Sequence, residues 1–280
     1  SFLRIWITII MQHIKYFVMG LVCFSIFSFS KCKHETAKRV LVNYGDFDPE
    51  LVRGYDYVIL ESVHFSSEDI KILKSNNQNV LAYVSFGEVN EAAPHYKEIS
   101  EYTLSKNDIW NSYVLDLENE QTRQTIFEIV RNNLETKGFD GLFLDNIDNY
   151  TSFGPTPEKL TALVSFLKRL KTEFPESHLM QNAGLEALDE TEEFVSSIAV
   201  ESVATNYNFE TSEYRMRESK DFNQRIDNLK SVAQDFGLPI IIIEYADSAA
   251  LKKAVKKRLK PYQANLFIGK IELQNLPENE

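Results

Sequence analysis

The chain has 280 residues, 44% hydrophobic, 12% aromatic and 25% charged, with a mean hydropathy of −0.27. Those proportions exclude an extended disordered chain, a collagen-like repeat and a multi-span membrane protein. The 30 basic against 41 acidic residues give a formal charge of −11, which excludes nucleic acid as the main partner, because phosphate binding needs a basic face.

The N-terminal stretch reads as an export leader. From Met11, a short segment carrying Lys15 precedes an apolar run from Tyr16 to Ser30, the layout of a signal peptide. A membrane-spanning helix needs about 20 apolar residues. Adding Ile5 to Ile10 reaches that length, but Gln12, His13 and Lys15 interrupt it. Met11 is therefore the expected true start and residues 1–31 the expected leader. The only cysteines are Cys23 inside the run and Cys32 just past it, so the remainder has no internal disulfide to form. Cys32 resembles the lipid-attachment site of bacterial lipoproteins, although Lys31 before it departs from the usual small residue. A membrane-anchored lipoprotein, periplasmic or at the cell surface, is expected, with plain secretion as the alternative. Residues 32–38 read as a tether. Residues 1–31 hold three basic and no acidic residues, leaving 27 basic and 41 acidic, a charge of −14, in the remainder.

From residue 39 onward, apolar β-branched runs alternate with helical patterns. The runs are RVLVNYG from Arg39, DYVILES from Asp56, NVLAYVSFGE from Asn79 and GLFLDNID from Gly141. HLMQNAG from His178, SIAVES from Ser197, PIIIIEYAD from Pro239 and ANLFIG from Ala264 complete eight strand candidates; SYVLDL from Ser112 is a minor one. Near-continuous hydrophobicity marks strands buried on both faces, as in parallel sheets. Between them, Ile126, Ile129, Val130 and Leu134 recur at helical spacing before Gly138. Leu160 to Leu170 do so after the Thr156-Pro157 start, Ile226, Leu229 and Val232 before Gly237, and Leu251, Val255 and Leu259 after Ser248. The pattern predicts an α/β fold, a single-domain (β/α)8 TIM barrel over residues 39–280, with a doubly wound open sheet as runner-up.

In such a barrel the chemistry sits at the carboxyl ends of the strands. Those ends carry Tyr44, Glu61, Ser85 with Glu88, and Asp145 with Asn146 and Asp148. Further along come Asn182, Glu201, and Glu244 with Tyr245 and Asp247. A charged group closing an apolar run needs its desolvation offset, and several at one end point to a site. No phosphate-binding loop, dinucleotide fingerprint or serine-hydrolase elbow is present, and the histidines are scattered singly, so no metal and no cofactor is expected. Two carboxylates at a concave mouth are the tools of glycoside hydrolysis, one as a proton donor of raised pKa, the other as nucleophile or base.

The blocks LAYVSFGE from Leu81, Trp110 followed by VLDL, GFDGLFLDNIDNY from Gly138, QNAG from Gln181, VES from Val200 and IIIEYAD from Ile241 resemble, in order, glycoside hydrolase family 114. These are endo-α-1,4-polygalactosaminidase-like proteins. The resemblance implies a (β/α)8 barrel that cleaves an α-linked, galactosamine-rich extracellular polysaccharide. It implies Asp145 and Glu201 as catalytic, the first as nucleophile or electrostatic stabiliser and the second as acid and base. Tyr83, Glu88, Asp116, Asp148 and Asn182 match groove positions. Tyr44 and Tyr245, read from the strand ends, are sugar contacts on this view. A rim ion pair for Asp116, a cap for Asp148 and core hydrogen bonds for the two tyrosines are the alternatives. The expected partner is a polysaccharide, with a cationic one suited to the acidic chain. Membrane contact is expected only through the lipid anchor, and the chain is expected to be a monomer. Two rivals stay open: a non-catalytic carbohydrate-binding lipoprotein, and a divalent-metal phosphodiesterase using Asp145, Asp148 and Glu201.

Overall fold

The computed structural model describes residues 37–277. The leader, Cys32 and most of the tether lie outside the described residues.

All eight expected strands form. They are β1 (Val40–Asn43), β2 (Tyr57–Leu60), β3 (Asn79–Ser85), β4 (Gly141–Asp145), β5 (His178–Asn182), β6 (Ser197–Glu201), β7 (Ile240–Tyr245) and β8 (Asn265–Gly269). They lie in chain order in one sheet, each parallel to its neighbour. Sequential order excludes the doubly wound alternative, in which the order reverses part-way. Between β1 and β8 the ring is drawn together at both ends: Lys38 N–H donates to Asn265 Oδ1 at 2.8 Å, and Tyr44 N–H to the Leu273 carbonyl at 2.6 Å. The result is a nearly closed (β/α)8 barrel. The strands are apolar because they are covered on both faces; Val58, Ile59 and Leu60 of β2 and Leu142, Phe143 and Leu144 of β4 have no exposed surface.

The outer layer contains α1 (Ser67–Asn76), α2 (Glu120–Arg131), α3 (Leu160–Glu173), α4 (Ser219–Phe236) and α5 (Ala249–Leu259). Four of these match the expected patterns. Gly138 and Gly237 end their helices in the left-handed conformation, at φ +83° and +66°. Ser248 caps α5 by accepting from Leu251 N–H. Thr156 behaves otherwise: its hydroxyl donates to the Asn149 carbonyl at 3.0 Å and does not cap the turn it precedes. The fifth helix, α1, carries only a weak apolar stripe, burying Ile70 and Leu73 alone, but opens on a Ser66–Asp69 capping box. Two connections are reduced. Only the short Pro49–Leu51 turn separates β1 from β2, and only Leu185–Ala187 and Leu188–Thr191 separate β5 from β6.

Two insertions rise from the carboxyl end of the barrel. After β3, the strands Glu88–Asn90, Thr103–Asn107 and Ser112–Leu115 form a small antiparallel sheet. After β6, Thr205–Asn208 and Glu213–Met216 form a hairpin. Neither belongs to the repeating strand–helix pattern. At the opposite end, close packing fixes one residue type: a Cβ on Gly141 would lie 1.9 Å from the His178 carbonyl oxygen, so β4 can start beside β5 only with glycine.

Candidate active site

Side chains from seven successive strands or their immediate ends converge at the barrel mouth. The centre is an amide between two carboxylates. Asn182, closing β5, donates from Nδ2 to Asp145 Oδ1 on β4 at 2.8 Å and to Glu201 Oε1 on β6 at 2.7 Å. Each carboxylate has a second donor on its outer side. Tyr83 of β3 donates to Asp145 Oδ2 at 2.8 Å, and Tyr245 of β7 donates to Glu201 Oε2 at 2.6 Å. Tyr44, just past β1, packs its ring against Tyr83 with centroids 4.9 Å apart.

The backbone that delivers these groups bends sharply just past them. Asn146, Ala183 and Ser202, the residues directly after Asp145, Asn182 and Glu201, all adopt left-handed conformations, at φ 59°, 58° and 55°. Non-glycine residues there cost of order 1–3 kcal/mol each, and such strain clusters at functional sites. Ser85 helps hold the first bend, donating from Oγ to Asn146 Oδ1 at 2.6 Å.

Burial sets the protonation. The Glu201 carboxyl is pushed above its ordinary range, first by desolvation and then by the Asp145 charge; the Tyr245 and Asn182 hydrogen bonds pull it part of the way back. Tyr44, Tyr83 and Tyr245 are all raised well above 10 by burial, and the nearby carboxylates add to the shift. They therefore remain hydrogen-bond donors at any working pH. Asp148 stands exposed at the rim, yet its carboxyl is also raised, by enclosure and by the Asp145 charge beside it.

The structure thus joins Asp145, Glu201, Asn182, Tyr83 and Tyr245 in one network, with Tyr44 against it and Asp148 at its edge. Glu88 and Asp116 are bonded elsewhere. Glu88 is buried in the first insertion, accepting from Ser112 Oγ, Asn107 Nδ2 and Asn149 Nδ2. Asp116 pairs with Lys159 at 3.0 Å and accepts from Glu118 N–H. Glu244, named among the strand ends, is fully buried; it accepts from the backbone N–H groups of Ala204 and Thr205 and so pins the root of the hairpin. Among the described residues no group of three or more His, Cys, Asp or Glu is arranged to hold a metal ion.

Glu61 is the titratable group that the family resemblance leaves without a role. It closes β2, and burial raises its carboxyl to about 7 against the partial offset of Lys137. Its charge reaches both Tyr44 and Tyr83. Its place at the end of an apolar run was the available signal.

Paired carboxylates two strands apart, bridged by an amide at the mouth of a parallel barrel, are the equipment of a glycoside hydrolase. The profile of glycoside-hydrolase family GH114 matches residues 30–272, and the chain belongs to that family. Its structure is similar to the glycoside hydrolase domain of PelA from Pseudomonas aeruginosa, at 26% identity and a TM-score of 0.76, over 85% of this chain and 97% of that one. Ega3 from Aspergillus fumigatus, solved in complex with galactosamine, shares the fold at 15% identity and a TM-score of 0.67, over 89% of this chain and 98% of that one. An α-galactosidase from Thermus thermophilus shares it more loosely, at 12% identity and 0.54, over 86% and 59%. No curated protein sequence matches the chain at a significant level.

Glu61 yields a stability test. Its carboxyl holds a proton more tightly folded than unfolded, so its contribution is full below 4.5 and lost as the pH rises through about 7. Glu61→Gln, which cannot ionise, is expected to raise the melting temperature at about pH 8 but not at about pH 5. Equal shifts in thermal melts at both pH values would refute the assignment.

Proposed function

We propose that this protein hydrolyses an α-linked, galactosamine-containing polysaccharide by a retaining two-step mechanism, with Asp145 as nucleophile and Glu201 as acid and base. The observation that carries this reading is the shared amide. The two hydrogens of an sp² amide diverge by about 120°, so carboxylate oxygens bonded to one nitrogen at 2.8 and 2.7 Å stand roughly 5 Å apart. That spacing fits the retaining arrangement, about 5–5.5 Å, and leaves no room for the water that an inverting pair must hold across about 6.5–9.5 Å.

The division of labour follows from the environments. Asp145 accepts two hydrogen bonds and, among the described residues, forms no ion pair, which suits a carboxylate that attacks. Glu201, raised by burial and by its neighbour's charge, keeps a proton for the leaving group. In the first step an Asp145 oxygen bonds to the anomeric carbon while the glycosidic C–O bond breaks and Glu201 gives its proton to the departing oxygen. In the second, Glu201 takes a proton from water, whose oxygen attacks the anomeric carbon and releases Asp145. Family membership, the PelA likeness and the galactosamine bound to Ega3 support the substrate class. The charge of −14 outside the leader suits a polymer carrying protonated amines. Tyr44, Tyr83 and Tyr245 line the site as ring surfaces and donors for a sugar.

The leader and Cys32 support export, with the enzyme held at a membrane by a lipid on Cys32. Fatty-acid labelling of the expressed protein, absent in Cys32→Ser, is the expected result; label retained in that variant would remove the anchor.

The direct test incubates the full chain with partly deacetylated α-1,4-galactosamine polymer, with and without EDTA, and reads the products by mass spectrometry. Cleavage should resist EDTA and fall by about 10²–10⁴-fold in Asp145→Asn and Glu201→Gln. Early products should be α anomers by NMR; β anomers would mean inversion. Intact binding without cleavage would favour the carbohydrate-binding rival, and loss in EDTA would show that cleavage depends on a divalent metal. Tyr245→Phe tests the acid. Removing a bond that favours charged Glu201 moves its pKa further up, so the alkaline limb of kcat/KM should shift to higher pH. An unmoved limb would assign the proton donor to another group.

A further inference from the structure

The two insertions meet above the mouth. Trp110, at the tip of the connection after β3, lies edge-to-face on Phe209, at the tip of the hairpin after β6, with ring centroids 5.0 Å apart. Phe209 in turn packs on Tyr207 at 4.9 Å, and Tyr207 on Tyr214 at 4.7 Å. The far end of this ribbon is fixed beyond β8, where Ile271 N–H donates to Tyr214 Oη at 3.0 Å. Its root is fixed at β7, where buried Glu244 holds Ala204 and Thr205. Since the strands run in chain order round the ring, β3 stands opposite β7 and β8. One ring contact therefore ties together loops anchored on opposite sides of the mouth, with Asp145, Asn182 and Glu201 on the strands between.

Both rings at the junction are largely exposed, Trp110 by 51% and Phe209 by 46%. Large aromatics left in water on built loops mark binding surfaces. The loops are built: Asn90 Nδ2 donates to the Trp110 carbonyl at 2.9 Å, and Asn208 Oδ1 accepts from the N–H groups of Glu210 and Thr211. Acidic residues stand close in sequence to both rings, Asp108 near Trp110, where it pairs with Lys106 at 4.0 Å, and Glu210 and Glu213 near Phe209. Aromatic faces stack on the C–H faces of sugars and attract ammonium groups, and neighbouring carboxylates reinforce the second preference.

We propose that Trp110 and Phe209 form a clasp over the catalytic groove that seats an amino-sugar unit of the polymer and keeps the chain threaded between successive cuts. The proposal rests on the reading of the site as a galactosamine-polymer hydrolase and adds to it a binding site remote from the two carboxylates. A polymer enters by parting this edge-to-face contact, and the contact re-forms or yields to sugar stacking once the chain is in place. Threading predicts several cuts per encounter, so short products accumulate while long polymer is still present.

The chain itself carries the probe. Its two tryptophans are Trp6 and Trp110, so the full chain with Trp6→Phe reports on the clasp alone. Titration with short α-1,4-linked galactosamine oligosaccharides should give a saturable change in Trp110 emission. Phe209→Ala should weaken that binding by about two- to ten-fold, the loss of one aromatic contact, and Phe209→Tyr should restore it. In digests of long polymer, Phe209→Ala should spread the early products over all lengths. A saturated protein whose Trp110 emission stays constant, or a Phe209→Ala digest with the parent's product pattern, would overturn the clasp. Failure of the underlying reading looks different: uncut polymer with a responding Trp110 would leave the clasp as a sugar site and remove the hydrolase. Matched thermal melts of each variant separate these outcomes from misfolding.

Discussion

Two carboxyl groups that share one amide nitrogen in a buried mouth repel one another if both are charged, and everything in the site depends on how that repulsion is handled. Asn182 handles it by donating from one nitrogen to both. The amide cannot be turned the other way, because its oxygen would then face two acceptors and both carboxyls would need protons. The orientation leaves Asn182 Oδ1 buried with no partner among the described residues, a cost of about 1–3 kcal/mol. The network accepts that cost to keep the two carboxyls at a fixed separation. Asp145, Asn182 and Glu201 sit at the ends of three consecutive strands, so the spacing of a parallel sheet sets the geometry before any side chain is chosen.

The left-handed residues after those three strand ends serve the same end. A strand that continued straight would carry its next side chain to the opposite face and its backbone away from the mouth. Turning at Asn146, Ala183 and Ser202 stops each strand with its functional side chain as the last one over the groove. Strain is thus stored in the backbone directly behind the reacting groups, where the barrel's buried strands hold it in place.

Much of this was legible in the sequence. The eight apolar runs mark strands because a parallel barrel buries both faces, and their ends mark the site because a charge is rarely left at the end of such a run without use. Asp145 and Glu201 stand out for that reason. What was not legible depends on contacts between distant segments. Glu88 follows β3 as Asp145 ends β4, yet the first insertion folds back and occupies its carboxylate with Ser112, Asn107 and Asn149. Asn182 is legible as a groove position at a strand end, but nothing local shows that its amide bridges two acids. The segment TNYNFETSEYRM alternates aromatic or apolar with polar residues in both arms, yet nothing local shows that its hairpin is held to the barrel through Glu244 and Tyr214. Trp110 and Phe209 are about a hundred residues apart, and only the closed ring brings them together.

The choice of donors is the last consequence of the same constraint. Among the described residues no Lys or Arg pairs with Asp145 or Glu201; the partners are Asn182, Tyr83 and Tyr245, all neutral. A cation in any of those places would favour the charged form of both carboxyls and strip Glu201 of the proton that a leaving group requires. It would also repel a sugar bearing an ammonium group. Neutral donors orient the pair without adding a charge to it, so burial and the Asp145 charge are left to raise Glu201 above its ordinary range. Burial that also lifts the three tyrosines well above 10 keeps those donors neutral in turn. Among the described residues, the side chains that meet Asp145 and Glu201 are thus uncharged donors inside an acidic chain.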